Sequence, residues 1–278
     1  MGAAEAIGLA VLQGLTEFLP VSSSGHLALA HWLVGSGSGE AEALPLEYVV
    51  LVHFGTLLAV IVYYWRDLGE ILRDVFAPGA QAEARRPRGW GRKLGALLIV
   101  ATVPAAVVGY AAADYVEGLF DIPWLVGIAL LVTGTALLIS ERVGSREKGD
   151  GSTTWLDAWL VGCAQSVALI PGISRSGVTI AAGLAVGFRR GWAPRFAFLM
   201  SVPVILGGSA FELRELIAQG GSGDLALYSL CGLLSAVTGY VAIRMVIGVV
   251  QAGNLKYFAA YCYLVGALAI VASGFKLL

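Results

Sequence analysis

Two of the apolar stretches in this chain are broken at their centres by proline, glycine and serine, and the two breaks are copies of one another. The first reads Gln13-Gly-Leu-Thr-Glu17-Phe-Leu-Pro20-Val-Ser22-Ser23-Ser24-Gly25-His26, the second Gln165-Ser-Val-Ala-Leu169-Ile-Pro171-Gly172-Ile-Ser174-Arg175-Ser176-Gly177-Val-Thr179. With a shift of 152 residues and no gap, Gln13 falls on Gln165, Ser22 on Ser174, Ser24 on Ser176 and Gly25 on Gly177. Backbone that leaves a helix inside hydrocarbon is tolerated only where protein buries it or a wet cavity meets it. The fold must therefore shelter both breaks. Glu17 and His26 occur only in the first copy and Arg175 only in the second, a pattern that points to a composite site at a repeat interface.

Composition says why hydrocarbon is the relevant solvent. Hydrophobic residues make up 58% of the chain and charged residues 13%, with a mean hydropathy of +0.79. Soluble domains run nearer 45–50% apolar and about 25% charged, so this is an integral membrane protein. A net charge of −1 gives no electrostatic reason to expect a nucleic-acid partner. Cys163, Cys231 and Cys262 lack metal-like spacing and are read as small buried hydrophobes. The N-terminus has no basic signal-peptide region, and Ala6 stands where acylation would need Ser or Thr. The first apolar stretch is thus expected to belong to the mature fold.

The expected fold is an all-α polytopic membrane protein in one domain over 1–278, with repeats at about 1–140 and 155–278. Stretches at roughly 48–65, 94–112, 123–140, 196–213, 227–250 and 257–275 are long enough to span hydrocarbon about 30 Å thick. The broken regions 6–34 and 159–187 read as re-entrant helix–loop–helix elements. Positive charge supports this: segment 66–93 holds Arg66, Arg73, Arg85, Arg86, Arg88, Arg92 and Lys93 and belongs to the cytoplasm. If 159–187 turns back, Arg189, Arg190, Arg195 and Lys256 stay on that side, leaving only Arg214 and Lys276 outside. Counting backward puts 35–47, with Glu40, Glu42 and Glu47, outside. The two elements then enter from opposite faces, as in an inverted-topology repeat. Loops 66–93 and 141–153 read as solvated connectors, and Trp65, Trp90, Trp124, Trp155 and Trp192 as interfacial anchors.

Gln13 and Glu17, four residues apart, share a helical face. A membrane carboxylate costs about 2.5 kcal/mol or more unless paired or solvated, so Glu17 wants Arg175 or a wet site. Each Ser-x-Ser-Gly turn precedes a restarting helix, whose free N–H groups and dipole suit an anion. Ser22, Ser24, Gly25, Ser174, Ser176, Gly177 and Thr179 are thereby candidate phosphate contacts, although each turn alone also fits a simple N-cap. Arg175 offers a fork suited to phosphate oxygens. His26 can serve as acid, base or nucleophile, and Ser23 is the alternative nucleophile. Glu17, helped by Gln13, can hold a divalent cation. His31 and His53 read as satisfied core histidines, and Arg244 as a snorkelling residue.

At the two motifs the chain resembles the undecaprenyl-diphosphate phosphatases, or bacitracin-resistance proteins. That resemblance implies removal of the terminal phosphate of a C55 polyprenyl diphosphate, recycling the lipid carrier for peptidoglycan synthesis. It implies roles for Glu17, Ser23, His26 and Arg175, a divalent cation (Mg²⁺ or Ca²⁺), and a site open to the outer face of the bacterial inner membrane. Gln13 stands where members carry Glu or Gln, which weakens it as a metal ligand. A homodimer is compatible with this reading.

Two other readings compete. Type-2 phosphatidic-acid phosphatases also use a Ser-Gly-His loop, but no Lys precedes Ser24 and Ala181 stands where their later histidine would fall. A lipid transporter or flippase would share the broken helices and inverted repeats.

Overall fold

A computed structural model describes residues 1–35, 44–77, 89–120, 122–143, 147–219 and 223–275. Among them the chain forms α1 (Ala3–Phe18), α2 (Ser23–Gly35), α3 (Leu46–Tyr63), α4 (Trp65–Phe76), α5 (Trp90–Ala111), α6 (Ala113–Gly118), α7 (Pro123–Val143), α8 (Trp155–Val167), α9 (Arg175–Ala185), α10 (Trp192–Gln219), α11 (Leu225–Gln251) and α12 (Lys256–Gly274). Among the described residues six helices are long and apolar enough to cross a membrane: α3, α5, α7, α10 over Trp192–Arg214, α11 and α12. They correspond to the six stretches read from hydropathy. The two interrupted regions are the pairs α1–α2 and α8–α9, each broken where the polar motif lies. The charged residues Glu40, Glu42, Arg85, Arg86, Arg88, Arg146 and Lys276 lie outside the described residues, as does the side chain of His31.

Packing is tightest where small residues let backbones approach, as expected where lipid tails compete for every apolar face. At the α3–α11 crossing, a Cβ added to Gly55 would stand 2.0 Å from the Gly232 carbonyl oxygen. Helix α1 lies along α11 and helix α8 lies along α5, while α3 and α10 pack together beside them. The outward faces are apolar: Leu230, Leu233, Val237 and Val241 on α11, and Leu264, Leu268 and Val271 on α12, are all exposed. Inside, Phe18, Phe188, Trp192, Phe196 and Phe198 form an aromatic centre joined to Leu97, Leu137 and Ile180.

Several expectations need correction. Segment 66–93 is not merely a connector: α4 is an amphipathic helix that turns Leu68 and Ile71 to the core. Asp74 Oδ2 of that helix accepts a hydrogen bond from Gly91 N at 2.8 Å, and Asp67 pairs with Arg195. Residues 147–153 are likewise built in, because Lys148 bridges to Phe188 and its ammonium reaches Asp157 at 2.9 Å. Trp65, Trp124 and Trp155 are exposed as anchors should be, whereas Trp90 and Trp192 are buried. Trp192 gives its indole N–H to Thr153 Oγ1, satisfying inside the fold the donor that an interfacial tryptophan gives to headgroups. Cys231 and Cys262 are buried, but Cys163 is exposed on α8, a helix with an outward face.

Candidate active site

The two breaks are built by the same local chemistry. Helix α1 stops at Phe18, ahead of Pro20, whose preceding residue disfavours helical backbone. Ser22 then takes a left-handed conformation with φ of 71°. Its hydroxyl accepts from Gly25 N at 3.2 Å, capping α2. In the second break Gly172 carries the positive φ, 93°, and Ser174 Oγ accepts from Gly177 N at 3.1 Å, capping α9. The hydroxyl pairs repeat too: Ser22 with Ser24 at 3.2 Å, Ser174 with Ser176 at 3.1 Å.

The tips meet. A Cβ on Gly25 would fall 2.9 Å from the Gly172 Cα, so the backbones are in contact and only glycine fits. Ser176 Oγ donates to the Leu19 carbonyl at 3.0 Å, tying the second tip to the first. Thr133 of α7 clamps the second loop, donating to the Gly172 carbonyl at 3.2 Å and accepting from Ser174 N at 3.0 Å.

Glu17 is the centre of this junction. Its Oε1 accepts from an Arg175 guanidinium nitrogen at 2.5 Å; its Oε2 accepts from Ser23 Oγ at 2.6 Å and from Gln13 Nε2 at 3.0 Å. An ion pair of this kind pins the two motifs together, and it also opens onto space. A cavity of about 350 Å³ is lined by Glu17, Ser22, Ser23, Ser24, Ser174 and Arg175 on the loop side. His53, Ser209 and Glu212 line it from α3 and α10, with Leu169, Ile173, Val204 and Ile205 supplying apolar wall. A hydroxyl beside a carboxylate and a guanidinium, in a cleft part polar and part apolar, suits attack on a phosphorus atom with an apolar group attached.

Not every candidate reaches the cavity. His26 is buried and doubly engaged: Nδ1 lies 2.7 Å from the Ser22 carbonyl and Nε2 lies 2.8 Å from the Tyr261 hydroxyl, with the two rings stacked. A carbonyl only accepts, so Nδ1 carries the proton and Nε2 accepts from the tyrosine. The histidine thus braces the left-handed Ser22. Gly25 and Gly177 serve packing and capping, Ser176 holds Leu19, and Thr179 donates back to the Arg175 carbonyl at 2.7 Å. Gln13 sits behind Glu17.

His53, read from sequence as a core residue, instead faces the cavity with Nδ1 3.5 Å from Glu212 Oε1. Glu212 escaped notice. The only signal was a carboxylate within an apolar span, which by itself marks function in a membrane.

Among the described residues no three His, Cys, Asp or Glu side chains cluster as metal ligands, so a hard cation would rest on Glu17 and a neighbouring amide oxygen. Gln13 Oε1 is buried and without a partner among the described residues, beside a carboxylate, and Mg²⁺ or Ca²⁺ takes oxygen ligands together with substrate phosphates.

The family model described as "Bacitracin resistance protein BacA" matches residues 6–268 of this chain. An undecaprenyl-diphosphatase of Rubrobacter xylanophilus is 40% identical over 269 residues, covering 95% of this chain and 96% of the relative. One from Salinibacter ruber is 40% identical over 272 residues, covering 96% and 97%. One from Korarchaeum cryptofilum is 39% identical over 272 residues, with the same coverage.

Proposed function

Because the chain belongs to the BacA family of bacitracin resistance proteins, we propose that this cavity is where it removes the terminal phosphate of undecaprenyl diphosphate, returning the C55 lipid as its monophosphate. The observation that carries the reading is Glu17, bonded at once by the Ser23 hydroxyl and the Arg175 guanidinium in one cavity.

The chemistry follows from those contacts. Arg175 has five N–H donors, enough to keep Glu17 and still grip the terminal phosphate, whose charge spreads over three oxygens during transfer. Glu17 takes the Ser23 proton as Oγ bonds to the terminal phosphorus. The bond from that phosphorus to the bridging oxygen breaks, and prenyl monophosphate departs. Water then attacks that phosphorus, Glu17 returns its proton to Oγ as the phosphoserine bond breaks, and the water's surplus proton passes to solvent as phosphate leaves. Glu17 and the Gln13 carbonyl would hold a divalent cation, which supplies neutralising charge to the diphosphate when bound. His26 acts through Ser22, as a brace rather than a nucleophile.

We also read the two broken elements as re-entrant and the halves as an inverted-topology repeat. Two features support this. The pairing of α1 with α11 is matched by that of α8 with α5, and in that arrangement the lysines and arginines of the connecting segments fall on one side, Arg214 and Lys276 excepted. The protein then lies in the bacterial inner membrane with the cavity open to the outer face. Every named site residue comes from one chain. A transport role would rest on architecture alone.

The deciding experiment is phosphate release from a long-chain polyprenyl diphosphate by the purified protein, with and without chelator. The expected result is release by the wild type, loss on chelation with recovery on adding Mg²⁺ or Ca²⁺, and no release by Arg175→Ala. Movement of the lipid between leaflets without phosphate release would overturn the reading.

A further inference from the structure

The loop side of the cavity carries the groups that start the reaction, and among the described residues its one carboxylate is already engaged there. Glu17 is committed to Ser23, Gln13 and Arg175. A leaving phosphate gains from a proton donor on the oxygen it carries away, and the attacking and leaving oxygens lie roughly in line. Such a donor must come from elements other than the loop that carries the nucleophile.

The wall made by α3 and α10 offers one. His53 and Glu212 sit with Nδ1 and Oε1 3.5 Å apart, side chains 30% and 24% exposed, so the pair is open rather than sealed into the core. Glu212 Oε2 and the neighbouring Ser209 Oγ are buried without a hydrogen-bond partner among the described residues, though both residues line the cavity. A clasp whose only purpose was to join two helices would satisfy those atoms. The charged groups acting on the imidazole are Glu212 from α10, Glu17 from α1 and Arg175 from α9. Helix α11, packed along α3, contributes no charge there; it sends Ser235 to the Val52 carbonyl and buries Cys231 in the apolar cluster that includes Val52.

We propose that His53, oriented by Glu212, is the general acid that protonates the departing prenyl monophosphate. This rests on the reading that the diphosphate binds in this cavity. As Ser23 Oγ bonds to the terminal phosphorus, the bond to the bridging oxygen breaks. The proton on His53 Nε2 passes to that oxygen, while Nδ1–H stays on the Glu212 carboxylate. The neutral imidazole left behind recovers its proton from solvent. Two carboxyl groups thus divide the labour, Glu17 serving the attacking oxygen and Glu212 the donor to the leaving one.

The test is the pH dependence of kcat for phosphate release from polyprenyl diphosphate by wild type, His53→Gln and Glu212→Gln, each checked for a monodisperse, wild-type-like profile in detergent. An acid must be protonated to act, so wild-type kcat falls as pH rises through an alkaline limb. His53→Gln keeps an N–H but cannot pass on a proton; kcat drops about 10²-fold, KM changes little, and the limb disappears. Glu212→Gln removes the anion that supports the charged imidazole, so the limb moves about one pH unit lower. A rate loss in His53→Gln with the alkaline limb intact marks a mere clasp and overturns the proposal, as does a wild type without the limb. Should His53→Gln fail to fold, the Glu212→Gln limb decides alone: an unmoved limb overturns the assignment. Normal release by Arg175→Ala in the same assay would instead overturn the cavity reading, and this role with it.

Discussion

The two breaks share a scaffold and divide a task. Both cap a restarting helix with serine, at positions 22 and 174, and both pair that hydroxyl with the serine two residues on. The residue between the serines differs: Ser23 in the first, Arg175 in the second, equivalent under the 152-residue shift. Both reach the same carboxylate, Glu17, whose own counterpart is Leu169 in the apolar wall. The shared frame can hold a polar group inside apolar surroundings. Differences at two positions, 17/169 and 23/175, give the proposed reaction a nucleophile with its base on one frame and an anion grip on the other.

The sharpest way to break this comparison is to remove the grip. Arg175→Ala is expected to lower kcat/KM for polyprenyl diphosphate at least about 10³-fold, the scale of a charged clamp in phosphoryl transfer. Arg175→Lys keeps the charge but not the fork and should recover only part of that. Ser23→Ala comes next, with a fall of about 10²-fold or more, while Ser24→Ala, whose hydroxyl bonds only Ser22 among the described residues, should cost far less. Equal losses in the two serine variants, measured by phosphate release, would end the special role of position 23.

His26→Ala should cost about 10- to 100-fold by letting Ser22 and Ser23 drift, and Tyr261→Phe should show a weaker version of the same loss. Acid-labile phosphate trapped on His26 during turnover would contradict this. Gly25→Ala forces a methyl against Gly172 and should destabilise the protein by about 1–3 kcal/mol, read as a lower melting temperature in detergent. The smallest effect belongs to a position remote from the tips. Thr154 caps α8 by accepting from Asp157 N at 3.1 Å, and Thr154→Ala should cost about 1 kcal/mol with kcat unchanged.

The legible parts of this molecule were those where hydrocarbon makes errors expensive. Pro20, Pro171 and the Ser-Gly turns marked the breaks, and the cost of a membrane carboxylate left Glu17 a choice between Arg175 and a wet site. The direction of each hydroxyl was not legible: Ser22, Ser23 and Ser24 are alike in sequence, and only the left-handed backbone at Ser22 assigns capping to one and the carboxylate to the next. His53 and Glu212 were illegible for a different reason. Each is a lone polar residue in a separate apolar helix, and only the packing of α3 on α10 makes them neighbours. Helix α4 was masked by its charge, since Arg66, Asp67, Glu70, Arg73 and Asp74 interrupt the apolar pattern, and only the structure shows Asp67 turned inward to Arg195 beside Leu68 and Ile71.

The contact between the Gly25 and Gly172 backbones fixes a timetable for biosynthesis. Arg175 emerges from the ribosome 158 residues after Glu17, roughly 8–30 s later at ordinary elongation rates. Until then the newborn N-terminal half carries a carboxylate into the translocon with no guanidinium to meet it. The pair, and the junction of the two tips with it, can close only once the second motif has been made.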